Sequence, residues 1–402
     1  MYDKQTYICG PSDNAFLYPY IYSTLSPIRI LCIFGTRPEA IKFAPLIREL
    51  KQYPSAFQII TCVTAQHRSM LDQVMAFFEL QADYDLDMMA PNQTLFDIVS
   101  RVMPGLSSVI ESSNPDLIIV QGDTTTAFLG ALAGYYSKVQ VAHLEAGLRS
   151  GNKYAPWPEE LNRVMISHLG DFHFAPTIGA MKHLNTEGIT EQIHVTGNTV
   201  IDALHLALSI VEKRDYDVRN DFPGVDFTKR VILVTAHRRE SFGGPFEHIC
   251  AAIKEIALAY PDVQIVYPVH LNPNVREPVF RMLSELKNVF LTDPVDYPHL
   301  VWLLNNSYLV LTDSGGIQEE APALGKPVLV LRDVTEREEG VEAGTAMLVG
   351  TNQELIVKEV KSLLTDQARY ETMSNAVNPY GDGTASKKIA EIIMQHYQRQ
   401  HA

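Results

Sequence analysis

Short apolar runs recur along the chain, and each one stops at a glycine or a cluster of polar residues. Arg29-Ile-Leu-Cys-Ile-Phe34, Ile59-Ile-Thr-Cys-Val63, Asp116-Leu-Ile-Ile-Val-Gln121 and Val139-Gln-Val-Ala-His-Leu144 read as buried strands. Between them lie stretches of helical pattern. Gly35-Thr-Arg-Pro-Glu-Ala-Ile-Lys42 opens one, with Pro38 suited to its first turn and Thr36 or Arg37 near the cap; another runs from about Ser69 to Phe78. Strands alternating with helices predict a parallel sheet covered on both faces. Polar residues collect after the strands, at the edge where open α/β sheets bind ligands.

After Thr199 the alternation restarts with Val231-Ile-Leu-Val-Thr235, Val263-Gln-Ile-Val-Tyr267, Val289-Phe-Leu291 and the run that begins at Leu309. The region Glu212 to Lys229, polar and broken by Pro223 and Gly224, reads as a surface insertion. The predicted class is therefore α/β, with two Rossmann-like domains facing a cleft. Their expected bounds are residues 28–198 and 199–383. A final helix, about Ala385 to Arg399 within residues 384–402, is expected to pack back on the first domain. Residues 1–27 form an N-terminal extension whose role the sequence does not state.

The chain has 402 residues, 46% of them hydrophobic, enough for two cores. A formal charge of −14 supplies no basic stripe, so general nucleic-acid binding is not expected. No apolar run of about 18 residues suggests a membrane span. Cys9, Cys32, Cys62 and Cys250 are scattered, with no CxxC pair. Cys32 and Cys62 sit in strand-like runs as buried thiols, which suits a reducing cytoplasm. HExxH, Walker A and GxGxxG motifs are absent, so neither a metal nor a bound NAD is expected, and no cofactor is implied.

The most telling stretch is Leu309-Val-Leu-Thr-Asp-Ser-Gly-Gly-Ile-Gln-Glu-Glu-Ala-Pro-Ala-Leu-Gly-Lys-Pro-Val-Leu-Val-Leu331, a strand, a glycine turn, a helix and a strand. Such a turn lets backbone N–H groups and a helix N-terminus face an anion. Glu319 and Glu320, placed in the helix's first turn, would repel a phosphate unless one of them faced neutral hydroxyls. That pairing points to a nucleotide or nucleotide sugar. Arg37 and Lys42, at a strand's end, suit an anion contact. Asp123 is either an Asp cap or a chemical group. Glu145 ends an apolar strand, with His143 two residues before it and Arg149 available as an ion-pair partner. Pro156-Trp-Pro-Glu-Glu-Leu-Asn-Arg163 brings Glu159 and Glu160 to a helix start, where capping accounts for one of them. His237 with Arg238 and Arg239 suits a phosphate.

Taken together, Gly35-Thr-Arg-Pro-Glu-Ala-Ile-Lys42, Thr64-Ala-Gln-His-Arg68, Gly122-Asp-Thr-Thr-Thr126, His143-Leu-Glu-Ala-Gly-Leu-Arg149, Pro156-Trp-Pro-Glu-Glu160, Thr196-Gly-Asn-Thr-Val-Ile-Asp-Ala203, His237-Arg-Arg-Glu-Ser241 and Asp313-Ser-Gly-Gly-Ile-Gln-Glu-Glu-Ala321 resemble the non-hydrolysing UDP-N-acetylglucosamine 2-epimerases. The resemblance runs from about Ile28 to the C-terminus. It implies the two-domain glycosyltransferase-B fold, a homodimer, and interconversion of UDP-GlcNAc and UDP-ManNAc without NAD or metal. The family route eliminates UDP to give a 2-acetamidoglucal and then adds UDP back. Carried over by position, Asp123, Glu145, Glu159 and His237 are implied as catalytic, with Asp123 as the base at C2. Arg37, Lys42, Ser314, Gly315, Gly316, Glu320 and Arg337 are implied as substrate contacts. Gln66, Gln93, Arg238 and His270 match positions for a second, activating UDP-GlcNAc. Ser69 and Asn92 depart from the common residues there. Val295, Leu300 and Glu338 depart near the uracil and after Arg337. A hydrolysing epimerase, a uronate-sugar epimerase, a retaining glycosyltransferase and a non-catalytic nucleotide-sugar sensor are the other readings. The intact Glu-Ala-Gly-Leu-Arg stretch weighs against the first two. The third needs an acceptor site, and the presence of Asp123, Glu145 and His237 weighs against the last.

Overall fold

The computed structural model describes residues 26–65, 68–88, 93–213 and 218–400. Seven strands, β1 (Ile28–Phe34), β2 (Phe57–Val63), β3 (Tyr84–Asp85), β4 (Leu117–Gln121), β5 (Gln140–Leu144), β6 (Phe172–Ala175) and β7 (Ile193–Val195), form one sheet in the order β3-β2-β1-β4-β5-β6-β7. Six more, β8 (Val231–Thr235), β9 (Gln264–Pro268), β10 (Val289–Thr292), β11 (Leu309–Thr312), β12 (Val328–Val330) and β13 (Ala346–Leu348), form a second in the order β10-β9-β8-β11-β12-β13. Every pairing is parallel. Helices cover both faces, which is why β4 and β11 are buried at every residue.

Both sheets reverse their strand order at one place, between β1 and β4 in the first and between β8 and β11 in the second. The chain leaves such neighbours toward opposite faces, and a crevice opens beyond their carboxyl ends. All the polar turns singled out in the sequence at β1, β4, β8 and β11 stand at these two crevices. The turn after β1 is held by Glu39, whose carboxylate accepts from Gly35 N at 3.0 Å and Thr36 N at 2.8 Å. Gly35 is required by space: a Cβ there would lie 2.1 Å from Thr64 Oγ1.

Helix Thr199–Lys213 packs on helix Arg37–Leu50 and on the C-terminal helix Ala385–Gln400. Asp202 caps the latter by accepting from Ser386 N at 2.7 Å. Tyr397 then donates to Asp116 O at 3.0 Å, so the last helix joins the core under the first sheet. Gly197, at φ +89°, meets Gly381 where two chain segments cross, and Asn198 N donates to Tyr380 O at 2.6 Å.

Two expectations are corrected. Val218 and Phe222, within the presumed surface insertion, are buried in the second sheet's core. Helix Gly315–Ala323 starts early enough that Glu319 and Glu320 fall in its second turn, away from its positive end. Four strands the sequence pattern did not single out, β3, β6, β7 and β13, are at most four residues long. Cys32, Cys62 and Cys250 are buried free thiols, each pushed up to about 12 by burial. Among the described residues no helix is long and apolar enough to cross a membrane.

Candidate active site

Two connected cavities occupy the cleft between the sheets. One, of about 220 Å³, is lined by Gln121, Gly122, Asp123, Glu145 and Arg163. The other, of about 510 Å³, is lined by Arg37, His237, His270, Ser314, Gly316 and Glu320. Pro38, Lys42 and Arg337 line both, so the two sets of residues share one seam.

The turn after β4 is fixed from several sides. Gly122 O accepts from His143 Nε2 at 2.7 Å, and Asp123 O accepts from Asn162 Nδ2 at 2.9 Å. A carbonyl only accepts, so His143 Nε2 carries the proton. Burial drives the His143 pKa down to about 3, and the ring is neutral. Thr124 caps helix Thr125–Ser137 through Ala127 N at 3.0 Å and donates to Glu39 Oε1 at 2.6 Å. The Asp123 carboxylate pairs with Arg163, whose other nitrogen reaches Glu160 Oε2 at 3.1 Å.

Glu145 adopts φ +63°, a left-handed conformation that costs a non-glycine residue energy and persists where surrounding contacts hold it. Its Oε2 accepts from both Lys42 and Gln121, and Arg337 Nη2 lies 3.9 Å from Oε1. Burial pushes the Glu145 carboxyl up, but Lys42 and then Arg337 outweigh it and hold the group below the usual carboxylate range. Burial likewise pulls Lys42 down, and the charges of Glu145 and Glu319 raise it above its ordinary value. Arg149 is not the partner of Glu145: it forms a two-pronged pair with Glu187 at 2.7 and 2.6 Å. Of the two carboxylates at the start of helix Glu159–Leu169, Glu160 is structural, accepting from Ser150 N and Gly151 N at 3.0 Å. Glu159 is half-buried at the first helical position and lines neither cavity.

On the opposite wall, Ser314 is the extended residue before helix Gly315–Ala323. A Cβ on Gly315 would touch the Arg337 guanidinium at 3.6 Å, so that cation lies against the helix start. Asp313, buried, accepts from His237 N at 2.6 Å and Arg238 N at 2.7 Å and thereby ties the β8 and β11 turns together. The His237 ring stacks on His270 with centroids 5.3 Å apart; burial lowers its pKa against the raising effect of Asp313. Glu319 accepts from Arg337 Nε and Asn198 Nδ2, each at 2.7 Å. Glu320 accepts from the Tyr297 hydroxyl at 3.0 Å, and burial raises its pKa to about 7.

The structure thus brings together Arg37, Lys42, Asp123, Glu145, His237, Ser314, Gly315, Gly316, Glu320 and Arg337. Among the positions tied to a second ligand, His270 lines the cleft. Gln93 donates to Met88 O at 2.8 Å, and Arg238 is held through its backbone; neither lines these cavities. Gln66 lies outside the described residues. Gln121, Asn162, Arg163, Asn198 and Tyr297 belong to the site and were not foreseen. Gln121, Asn162, Arg163 and Asn198 lie within stretches already noted, which was the signal available for them, whereas Tyr297 lies in none of those stretches. Chemically, one wall offers cations and a helix N-terminus to an anion, with a carboxylate for hydroxyls, while the other offers carboxylates for proton transfer.

A family model described as UDP-N-acetylglucosamine 2-epimerase matches residues 48–394. A UDP-N-acetylglucosamine 2-epimerase of Yersinia pestis is 54% identical over 374 residues, covering 92% of this chain and 99% of that protein. Its namesake in Escherichia coli K12 is 52% identical over 370 residues, covering 91% of this chain and 98% of its own length. Among solved structures, the Neisseria meningitidis UDP-GlcNAc 2-epimerase bound to UDP-GlcNAc superimposes with a TM-score of 0.84 at 48% identity, covering 92% of this chain and 100% of that one. The Methanocaldococcus jannaschii UDP-GlcNAc 2-epimerase in complex with UDP-GlcNAc and UDP gives a TM-score of 0.75 at 35% identity, covering 92% and 100%.

Proposed function

The chain belongs to the UDP-N-acetylglucosamine 2-epimerase family, and from that premise we propose that it interconverts UDP-GlcNAc and UDP-ManNAc by eliminating and re-adding UDP through a 2-acetamidoglucal. The observation that carries this reading is the seam at Lys42 and Arg337. There an anion site at Ser314–Gly316 meets a proton-transfer site at Asp123 and Glu145 within one cleft. UDP lies with its diphosphate at the helix start, Arg337, Arg37 and His237, and its ribose hydroxyls at Glu320. The sugar extends toward Asp123 and Glu145.

The chemistry follows from the charges. The C2 hydrogen is weakly acidic, so its removal and the departure of the β-phosphate oxygen must assist each other. Fixed cations and N–H groups stabilise the charge that develops on UDP without reorganising. Inversion needs a proton acceptor on one face of the flattened ring and a donor on the other, a task for Asp123, Glu145 and Glu159. Glu159 reaches the sugar only if the start of its helix moves inward. UDP must remain bound between the half-reactions, which a closing cleft provides. The working form is a cytoplasmic homodimer of two-domain subunits divided near residue 198, and a second UDP-GlcNAc acts as activator beside His270.

Incubation with UDP-GlcNAc in D₂O, followed by NMR, tests the reading. Deuterium at C2 with accumulating UDP-ManNAc is the expected result. Release of free ManNAc, or an absence of exchange, overturns it. Asp123→Asn is expected to abolish exchange while UDP binding changes little.

A further inference from the structure

The four buried charges at the seam balance. Lys42 and Arg337 face Glu145 and Glu319, with side chains only 16%, 17%, 8% and 2% exposed in that order. An arriving diphosphate finds both cations already paired with carboxylates. Yet both line the cavity at the helix start, and the Arg337 guanidinium lies against Gly315.

We propose that UDP binding draws Lys42 and Arg337 Nη2 from Glu145 to the diphosphate, and that Glu145 takes up a proton from solvent in exchange. The inference rests on the reading of the cleft as a UDP site. Glu145 is the carboxylate that loses most. Glu319 keeps Asn198 and Arg337 Nε, whereas Glu145 is left with the neutral Gln121 amide. The other groups around Glu145 do not replace what is withdrawn. Arg163, from helix Glu159–Leu169, is already engaged by Asp123 and Glu160. His143 on β5 is neutral, and Glu319 and Asp123 add negative charge. A buried carboxylate stripped of cations beside a newly bound diphosphate anion binds a proton. One proton moves from bulk solvent to a Glu145 oxygen and returns to solvent when UDP leaves. The consequence is functional: the acid that inversion requires exists only while the cleft holds its leaving group.

Calorimetric titration with UDP near neutral pH, repeated in buffers of different ionisation enthalpy, counts the protons. Wild-type protein is expected to take up about one proton per UDP more than the Glu145→Gln variant, and its Kd to rise up to about tenfold per pH unit on the alkaline side. The difference is expected to persist on a His237→Asn background. Equal uptake by wild type and Glu145→Gln, or loss of the difference on the His237→Asn background, overturns the proposal. Should Glu145→Gln fail to fold, Lys42→Met takes its place: Glu145 is then protonated beforehand, and uptake is lost. Uptake preserved in Lys42→Met overturns the proposal equally. Failure of wild type to bind UDP at all is a different result and overturns the functional reading itself.

Discussion

The Tyr297 hydroxyl donates to Glu320 Oε1 at 3.0 Å, both side chains being buried where the two cores meet. Tyr297 also packs against Phe78, at 6.0 Å between ring centroids, from the helix that follows β2. The carboxylate assigned to the ribose is therefore held by a residue that touches both halves of the molecule.

That placement has a cost at high pH. Glu320 titrates at about 7 in the folded protein against an ordinary value of 4.5, with burial the main cause. A raised folded pKa stabilises the fold fully below 4.5, and the contribution disappears as pH rises through about 7. Glu320→Gln removes the burden. The ligand-free variant is expected to gain up to about 3 kcal/mol over wild type between pH 5 and pH 8, while UDP binding weakens. Thermal unfolding at the two pH values, with and without UDP, checks both halves.

His143 has the opposite sign. Its folded pKa, about 3, lies below the ordinary 6.5 because burial disfavours the imidazolium. Its contribution is present above 6.5 and is lost as pH falls toward 3. Between pH 7 and pH 5 the loss is about 2 kcal/mol, and His143→Gln should flatten that slope. Because the ring holds Gly122 O beside Asp123, His143→Ala is expected to lower kcat more than it raises KM. A loss confined to KM would refute that positioning role.

The Lys42–Glu145 pair predicts non-additive stability. Removing Lys42 obliges the buried Glu145 to bind a proton, which it does not need in the paired state, so Lys42→Met alone should cost about 3–5 kcal/mol. The double variant Lys42→Met, Glu145→Gln should recover much of that stability without recovering activity. Denaturant unfolding of the four forms in a double-mutant cycle measures the coupling; additive losses would show that the pair is energetically independent.

Gly35→Ala tests the packing at the first crevice. Its Cβ would sit 2.1 Å from Thr64 Oγ1 and 2.8 Å from Thr126 Oγ1, which are themselves hydrogen-bonded at 2.9 Å. Relief by overpacking adjustment costs about 1–3 kcal/mol. Adding Thr64→Ala removes the shorter contact and should restore part of it, because Thr126 Oγ1 stays 2.8 Å from the new Cβ; a double variant no more stable than Gly35→Ala would point to a cause other than the Thr64 contact.

The sequence by itself determined the alternation of strands and helices, because buried parallel strands must be apolar and their ends must carry what the cleft uses. Asp123, Glu145, His237 and Ser314–Gly316 were legible for that reason: each follows a strand, Asp123, His237 and Ser314 at a switch point and Glu145 at the neighbouring strand β5. Resemblance added their chemical roles, and the comparisons established the family. What the sequence left open were partnerships across distance. Arg149 stands four residues from Glu145, yet Lys42, 103 residues away, holds it, because the left-handed turn at Glu145 aims the carboxylate at the helix after β1. Glu319 and Glu320 look alike in the chain. Their rotation about the helix sends one to Arg337 and the other to Tyr297. Neighbours in sequence share a local conformation, but charges find partners through space, and only the packing of two sheets decided which cation each carboxylate would meet.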